Sequence, residues 1–196
     1  GRLDDDDGEV RLRGGQTLAR LIDEAELGVP DRTAIGATVV EHLTAESQAG
    51  LRAECLVVLT RLDHSESASQ RDEVLNALLA DDEDVEALIA GIGAAGRMGA
   101  VQAHTRLLEC LSHQYPGVRE ATVHCLGVLE QDEGLTALMG MLGDPDPDVV
   151  AAVVVRLGRA KSLKQRMVDE LSQRPVKQWQ GLLGALIAQD DEEGLN

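Results

Sequence analysis

Phenylalanine is absent from this chain, and its aromatic residues are one tryptophan, Trp179, and one tyrosine, Tyr115. A protein so poor in rings has almost nothing to stack on bases or sugars, which counts against a single-strand nucleic-acid or carbohydrate binder. Lysine is nearly as scarce, with only Lys161, Lys164 and Lys177 among 18 basic residues. Against these stand 35 acidic residues, for a net charge of −17, so a DNA duplex or an anionic membrane would be repelled. Many acids with few lysines is the surface chemistry of a salt-adapted organism, and a GC-rich genome favours arginine over lysine as well. Apolar runs fall far short of the ~20 residues of a membrane span, and no secretory apolar segment opens the chain. The three cysteines, Cys55, Cys110 and Cys125, form no CxxC pair, and each lies within an apolar helical pattern. Reduced core thiols and a cytoplasmic location are the expectation. Catalytic motifs are missing too: there is no HExxH and no glycine-rich phosphate loop after a strand, and His42, His64 and His104 have no nucleophile beside them in a strained turn.

What the chain does have is repetition. Asp144-Pro145-Asp146-Pro147-Asp148-Val149 runs through Ala151-Ala152 to Leu157-Gly158, and weaker copies recur. Val118-Arg119-Glu120-Ala121 runs to Leu126-Gly127, Asp84-Val85-Glu86-Ala87 to Ile92-Gly93, Leu51-Arg52 to Leu59-Thr60, and Pro175-Val176 to Leu183-Gly184. The end positions 59, 92, 126, 157 and 183 are separated by 33, 34, 31 and 26 residues, the period of a two-helix solenoid. Apolar residues recur at three- and four-residue steps, as Leu18, Leu21, Ile22 and Ala25, then Ile35, Val39, Val40 and Leu43. First helices are expected at about 50–62, 84–96, 116–130 and 147–160, and second helices at about 68–80, 99–113, 134–143 and 163–173, with a last helix over about 176–189. Asp146 before Pro147, and Asp82 or Asp84 before Val85, suit an N-cap, and proline suits the first helical position. The small residues Ala87, Ala121 and Ala152 would let the helices of a pair approach closely, and Gly93, Gly127 and Gly158 mark another crowded crossing or a bend. Residues 1–15, with Asp4 to Asp7 and Gly14-Gly15, are expected to form a flexible acidic lead-in, 16–189 a single repeat domain, and 190–196 an acidic tail.

This pattern resembles HEAT-like repeats, in particular the short kind named after phycobilisome lyases. The resemblance implies an all-α superhelix, a HEAT-like solenoid of about five helix pairs plus a terminal helix, whose concave face docks other proteins. Enzymes of similar fold set tests that this chain does not meet. Deoxyhypusine hydroxylases use His-Glu dipeptides, of which there are none here, and alkylpurine glycosylases line their face with basic and aromatic residues.

Three constellations invite chemistry. Asp144, Asp146 and Asp148 alternate like the first ligands of a calcium loop, but Val149 and Val155 stand where such a loop needs glycine and glutamate, which favours capping. Cys110, His113, His124 and Cys125 make a paper zinc set, but adjacent helical residues diverge by about 100°. No resident metal or cofactor is expected. The third is charge: from Arg156 to Lys177 seven basic residues, Arg156, Arg159, Lys161, Lys164, Arg166, Arg174 and Lys177, face only Asp169 and Glu170, a local net of +5. On so acidic a chain this segment is a candidate docking patch for an acidic protein partner, with Arg156, Arg159, Lys161, Lys164, Arg166 and the neighbouring Trp179 as contact residues; the alternative is a solvated set of helix-end cations complementing the dipole, with Trp179 capping the final repeat. The functional expectation is a non-catalytic protein-interaction scaffold or adaptor. The alternative is a lyase-like or regulatory subunit of a cofactor-handling enzyme complex.

Overall fold

A helix with one apolar stripe must meet partners along it, and a helix apolar on every side must be enclosed. The computed structural model meets both demands. It describes residues 8–24, 28–46, 48–62, 68–80, 82–160, 164–173, 181 and 183–187, and among these every regular element is helical, with no strand. The chain divides into two compact units, 1–98 and 99–196.

The first unit contains α1 (Gly8–Glu24), α2 (Val29–Ala45), α3 (Ala49–Arg61), α4 (Ala68–Ala80) and α5 (Val85–Met98). Helix α3 is apolar nearly all round and packs against each of the other four, so Leu51, Cys55, Leu56, Val57, Val58 and Leu59 are all buried. The first helices α1, α3 and α5 stack in order, with α2 and α4 alongside, the solenoid arrangement that the repeat predicts. Arg71 Nη1 donates to the Leu59 carbonyl at 3.2 Å and Arg32 Nη1 to that of Arg61 at 3.4 Å. These bonds satisfy carbonyls at the end of α3 that have no partner within the helix.

Two expectations change here. Helix α1 starts at Gly8, so residues 8–15 of the anticipated irregular lead-in are helical. Gly15 is buried, and a Cβ on it would lie 3.3 Å from both Glu54 Cβ and Leu51 Cδ1, so this glycine permits the α1–α3 approach. The crowded glycine of α5 is Gly91, whose Cβ would meet Leu78 Cβ at 2.9 Å, and not Gly93, which has only Arg97 Nη1 nearby at 3.9 Å. Two residues along a helix are about 200° of rotation apart, so Gly93 faces away from the α4 crossing that Gly91 serves. The expected acidic tail, 190–196, lies outside the described residues.

In the second unit a 3-10 turn (Val101–Ala103) leads into α6 (His104–Cys110), followed by α7 (Pro116–Leu129), α8 (Asp132–Gly140) with a closing 3-10 turn (Met141–Gly143), α9 (Pro147–Arg159) and α10 (Lys164–Gln173). First helices α7 and α9 pack on one another, with α6 and α8 beside them. Leu107, Val118, Val123, Leu126, Leu138, Val149, Val153 and Leu157 are fully enclosed between them. The second helices expected at 99–113 and 134–143 are thus each part α and part 3-10. Gly99, at φ +65°, turns the chain directly after α5, and glycines 140 and 143 weaken the last turn of α8 enough for it to tighten.

The helix starts follow the expected chemistry. Asp146 accepts from the backbone N–H groups of Asp148 (3.0 Å) and Val149 (3.4 Å), with Pro147 at the first helical position. Asp84 accepts from the Ala87 N–H at 3.0 Å and starts α5.

Candidate docking site

Asp144 is not held for a cation. Its two oxygens receive Arg119 Nε and Nη2 at 2.8 Å each, and Oδ1 also accepts the Asp146 N–H at 2.9 Å. The bidentate guanidinium holds this carboxyl below the usual carboxylate range, against the opposing effect of burial. Arg119, itself buried, sends Nη1 to the carbonyls of His113 (2.8 Å) and Gln114 (3.3 Å) and so locks the α6–α7 loop to the α9 approach. Among the described residues no group of three or more His, Cys, Asp or Glu side chains is placed to hold a metal ion. Cys55, Cys110 and Cys125 are buried thiols outside any disulfide, and burial pushes those of Cys55 and Cys125 up to about 12.

The cationic segment sorts differently from its linear order. Arg156 and Arg159, one helical turn apart near the end of α9, meet at a cleft of about 280 Å³ lined by Gly127, Val128, Glu130, Arg156, Arg159 and Ala160. The stem of Arg156 lies across Gly127: a Cβ there would be 2.7 Å from Arg156 Cδ and 3.0 Å from Cγ. Gly127 is therefore a crowded crossing, as expected, and what crowds it is the arginine. The head of Arg156 is fixed by His124, whose Nδ1 accepts from Nε at 3.1 Å and lies 3.0 Å from Nη2. With Nδ1 accepting, the neutral imidazole carries its proton on Nε2, which lies 3.7 Å from Glu120 Oε1. Burial, and then the like charge of Arg159, pull the Arg156 pKa below the ordinary arginine value. Neither arginine forms an ion pair with a carboxylate among the described residues. Glu130 lines the same cleft without pairing with them, and it is the one described residue other than glycine at positive φ, +50°.

The remaining cations of that segment lie elsewhere or outside the described residues. Arg166, on α10, donates to Thr136 Oγ1 of α8 at 2.8 Å, away from the cleft residues, and Lys164 is partly buried on the same helix. Lys161 and Trp179 lie outside the described residues. Some arginines of other helices are engaged in structure, as Arg119 is with Asp144 and Arg97 with Glu54 at 2.8 Å.

The sequence pattern alone does not single out Val128 and Glu130 as site residues, and it marks His124 only as a member of the paper zinc set. The signal that could have found them is the repeat itself: subtracting the 31-residue step from Arg156 and Arg159 lands on Cys125 and Val128, beside the residues that meet those arginines. Residues 105–180 match the family model for HEAT repeats. That stretch is a run of HEAT-like repeats. The cleft lies wholly within those HEAT-like residues. No curated protein matches it. HEAT repeats generally mediate contacts between proteins. None of the described helices is long and apolar enough to cross a membrane.

Proposed function

We propose that this HEAT-like protein is a non-catalytic adaptor that docks a protein partner through the cationic side of its second unit. Arg156, Arg159, Lys161, Lys164, Arg166 and Trp179 are the proposed contact residues. The observation that carries this function is an imbalance: in a chain of net charge −17, two neighbouring arginines at an open cleft have no carboxylate partner among the described residues. Guanidinium groups left so in a protein rich in acids favour an acidic protein surface, and the same acidity disfavours nucleic acid and anionic membrane. Binding would use a preformed helical face and needs no cofactor. Three buried cysteine thiols outside any disulfide support a reducing, cytoplasmic setting.

The test is affinity capture from native cytosol at low and high salt, with the wild-type chain and a Lys161→Glu/Lys164→Glu variant in parallel. One dominant partner, lost at high salt and lost with the variant, is the expected result. A stoichiometric pigment or metal on the bait without a protein partner would overturn the adaptor function and favour a cofactor-handling subunit.

A further inference from the structure

We infer that the Arg156–Arg159 cleft is a receptor for one acidic side chain, a glutamate or aspartate, presented by the partner protein. This rests on the adaptor function and names the chemistry of its central contact. Three observations converge. First, Arg156 is aimed and held: Gly127 seats its stem and His124 takes its Nε edge, which leaves the Nη1 hydrogens and one on Nη2 for an incoming acceptor. An arginine fixed before binding loses less side-chain freedom on contact, which is the condition for a strong interface anchor. Second, Arg159 is exposed, with no hydrogen bond or ion pair to any described residue, and its charge is felt at Arg156. Two adjacent like charges without a counter-ion are relieved by one carboxylate set between them.

Third, the walls fit an acidic side chain better than a phosphate. A volume of about 280 Å³ lies at the lower edge of the roughly 300–1,000 Å³ usual for small-molecule sites and has room for one side chain. Val128, 54 % exposed at the cleft, and Ala160 offer aliphatic contact to the methylenes of a glutamate. Glu130 at the rim and the surrounding negative field oppose a dianionic phosphate more strongly than a single carboxylate.

The experiment selects a phage-displayed random-peptide library on the full chain at physiological salt. The enriched peptide, its Glu→Gln or Asp→Asn counterpart, inorganic phosphate and a duplex DNA are then measured against wild type, Arg156→Gln, Arg159→Gln and Lys164→Glu/Arg166→Glu. Arg156→Gln keeps the two carbons over Gly127, Arg159 is exposed, and circular dichroism checks each fold. The expected result is an acidic position in the enriched peptides, with affinity falling at least about tenfold when either that position or either arginine is neutralised. Binding that is unchanged in both arginine variants but lost in Lys164→Glu/Arg166→Glu would overturn the cleft and leave the adaptor standing. Enriched peptides without an acidic position, or no enrichment at all, would overturn the carboxylate receptor, and persistence of the captured cellular partner would show that the adaptor survives. Phosphate or DNA binding more tightly than the peptide, and through Arg156, would replace the carboxylate with a phosphate.

Discussion

Asp144→Asn removes one charge from the second unit with almost no change of shape, and its cost should be large. The side chains of Arg119 and Asp144 are 10 % and 4 % exposed, and two N···O contacts of 2.8 Å join them edge to edge. An exposed pair contributes about 0–1 kcal/mol, whereas removing one member of a buried pair strands the other charge and costs about 3–5 kcal/mol. At this burial the second case applies. The asparagine can still accept the Asp146 N–H, so the loss isolates the charge from the loop geometry. Equilibrium urea unfolding should show a fall of about 3–5 kcal/mol, against a total of about 5–15 kcal/mol for a domain of ordinary stability. A double-mutant cycle with Arg119→Met should give a coupling of about 1–3 kcal/mol, because each single change spoils the same contact. Acid provides an independent check. Since the folded-state pKa of Asp144 is depressed, its stabilisation is present above the unfolded carboxylate pKa of about 3.9 and disappears as pH falls through the lower folded value. The variant's acid-unfolding curve should therefore lack the part of that loss due to residue 144. A cost below about 1 kcal/mol would mean that the pair behaves as a solvated one, and the structural role given to Arg119 would be wrong.

Gly91→Ala should destabilise by about 1–3 kcal/mol, because the new methyl meets Leu78 Cβ at 2.9 Å and its backbone at 3.3 Å. Gly93→Ala, two residues on, should stabilise by about 0.5–1 kcal/mol through helix propensity, and thermal melts showing the opposite order would reverse the assignment of the α4–α5 crossing. Both ring nitrogens of His104 are buried without a hydrogen bond, and the Glu133 carboxylate, 3.7 Å from Nε2, is too far to supply one. His104→Leu should accordingly leave stability unchanged or raise it by up to about 2 kcal/mol, and a loss above about 1 kcal/mol in urea unfolding would show that the imidazole is satisfied after all. A disulfide reagent at mildly alkaline pH should find none of the three thiols accessible in the folded chain and all of them after denaturation, since all are buried and those of Cys55 and Cys125 are pushed up to about 12. Rapid labelling of one thiol in the native state would contradict the packing of α3, α6 or α7.

The helices were legible because their signals are local. Asp146-Pro147 needs only its own next three residues to start α9, and Asp84 likewise starts α5. Leu126 and Leu157 occupy equivalent core positions because the 31-residue step between them repeats a geometry. Where the expectation failed, the deciding neighbour was distant in sequence. Gly15 looks like a flexible linker until Leu51 and Glu54 are set against it. Gly93 has the right spacing from Ile92 for a repeat mark, but the helix turns it away from Leu78.

The same reasoning explains why charge along the chain was only half a guide to the site. Counting cations from Arg156 to Lys177 treats each as equivalent, yet what matters for docking is whether a side chain already has a partner. Arg119, outside the cationic segment, is consumed by Asp144, 25 residues away, and Arg156 is steadied by His124, 32 residues away. Neither separation can be read without the fold, because a stacked repeat brings together positions about one period apart. Arg166 counted fully toward the local charge, yet it spends a donor on Thr136, 30 residues back. The linear excess of +5 thus overstates the number of cations that meet at one place and understates how well two of them are presented. A neutral acceptor such as His124 positions an arginine without cancelling its charge, whereas an aspartate in the same place would have closed the cleft to an acidic partner.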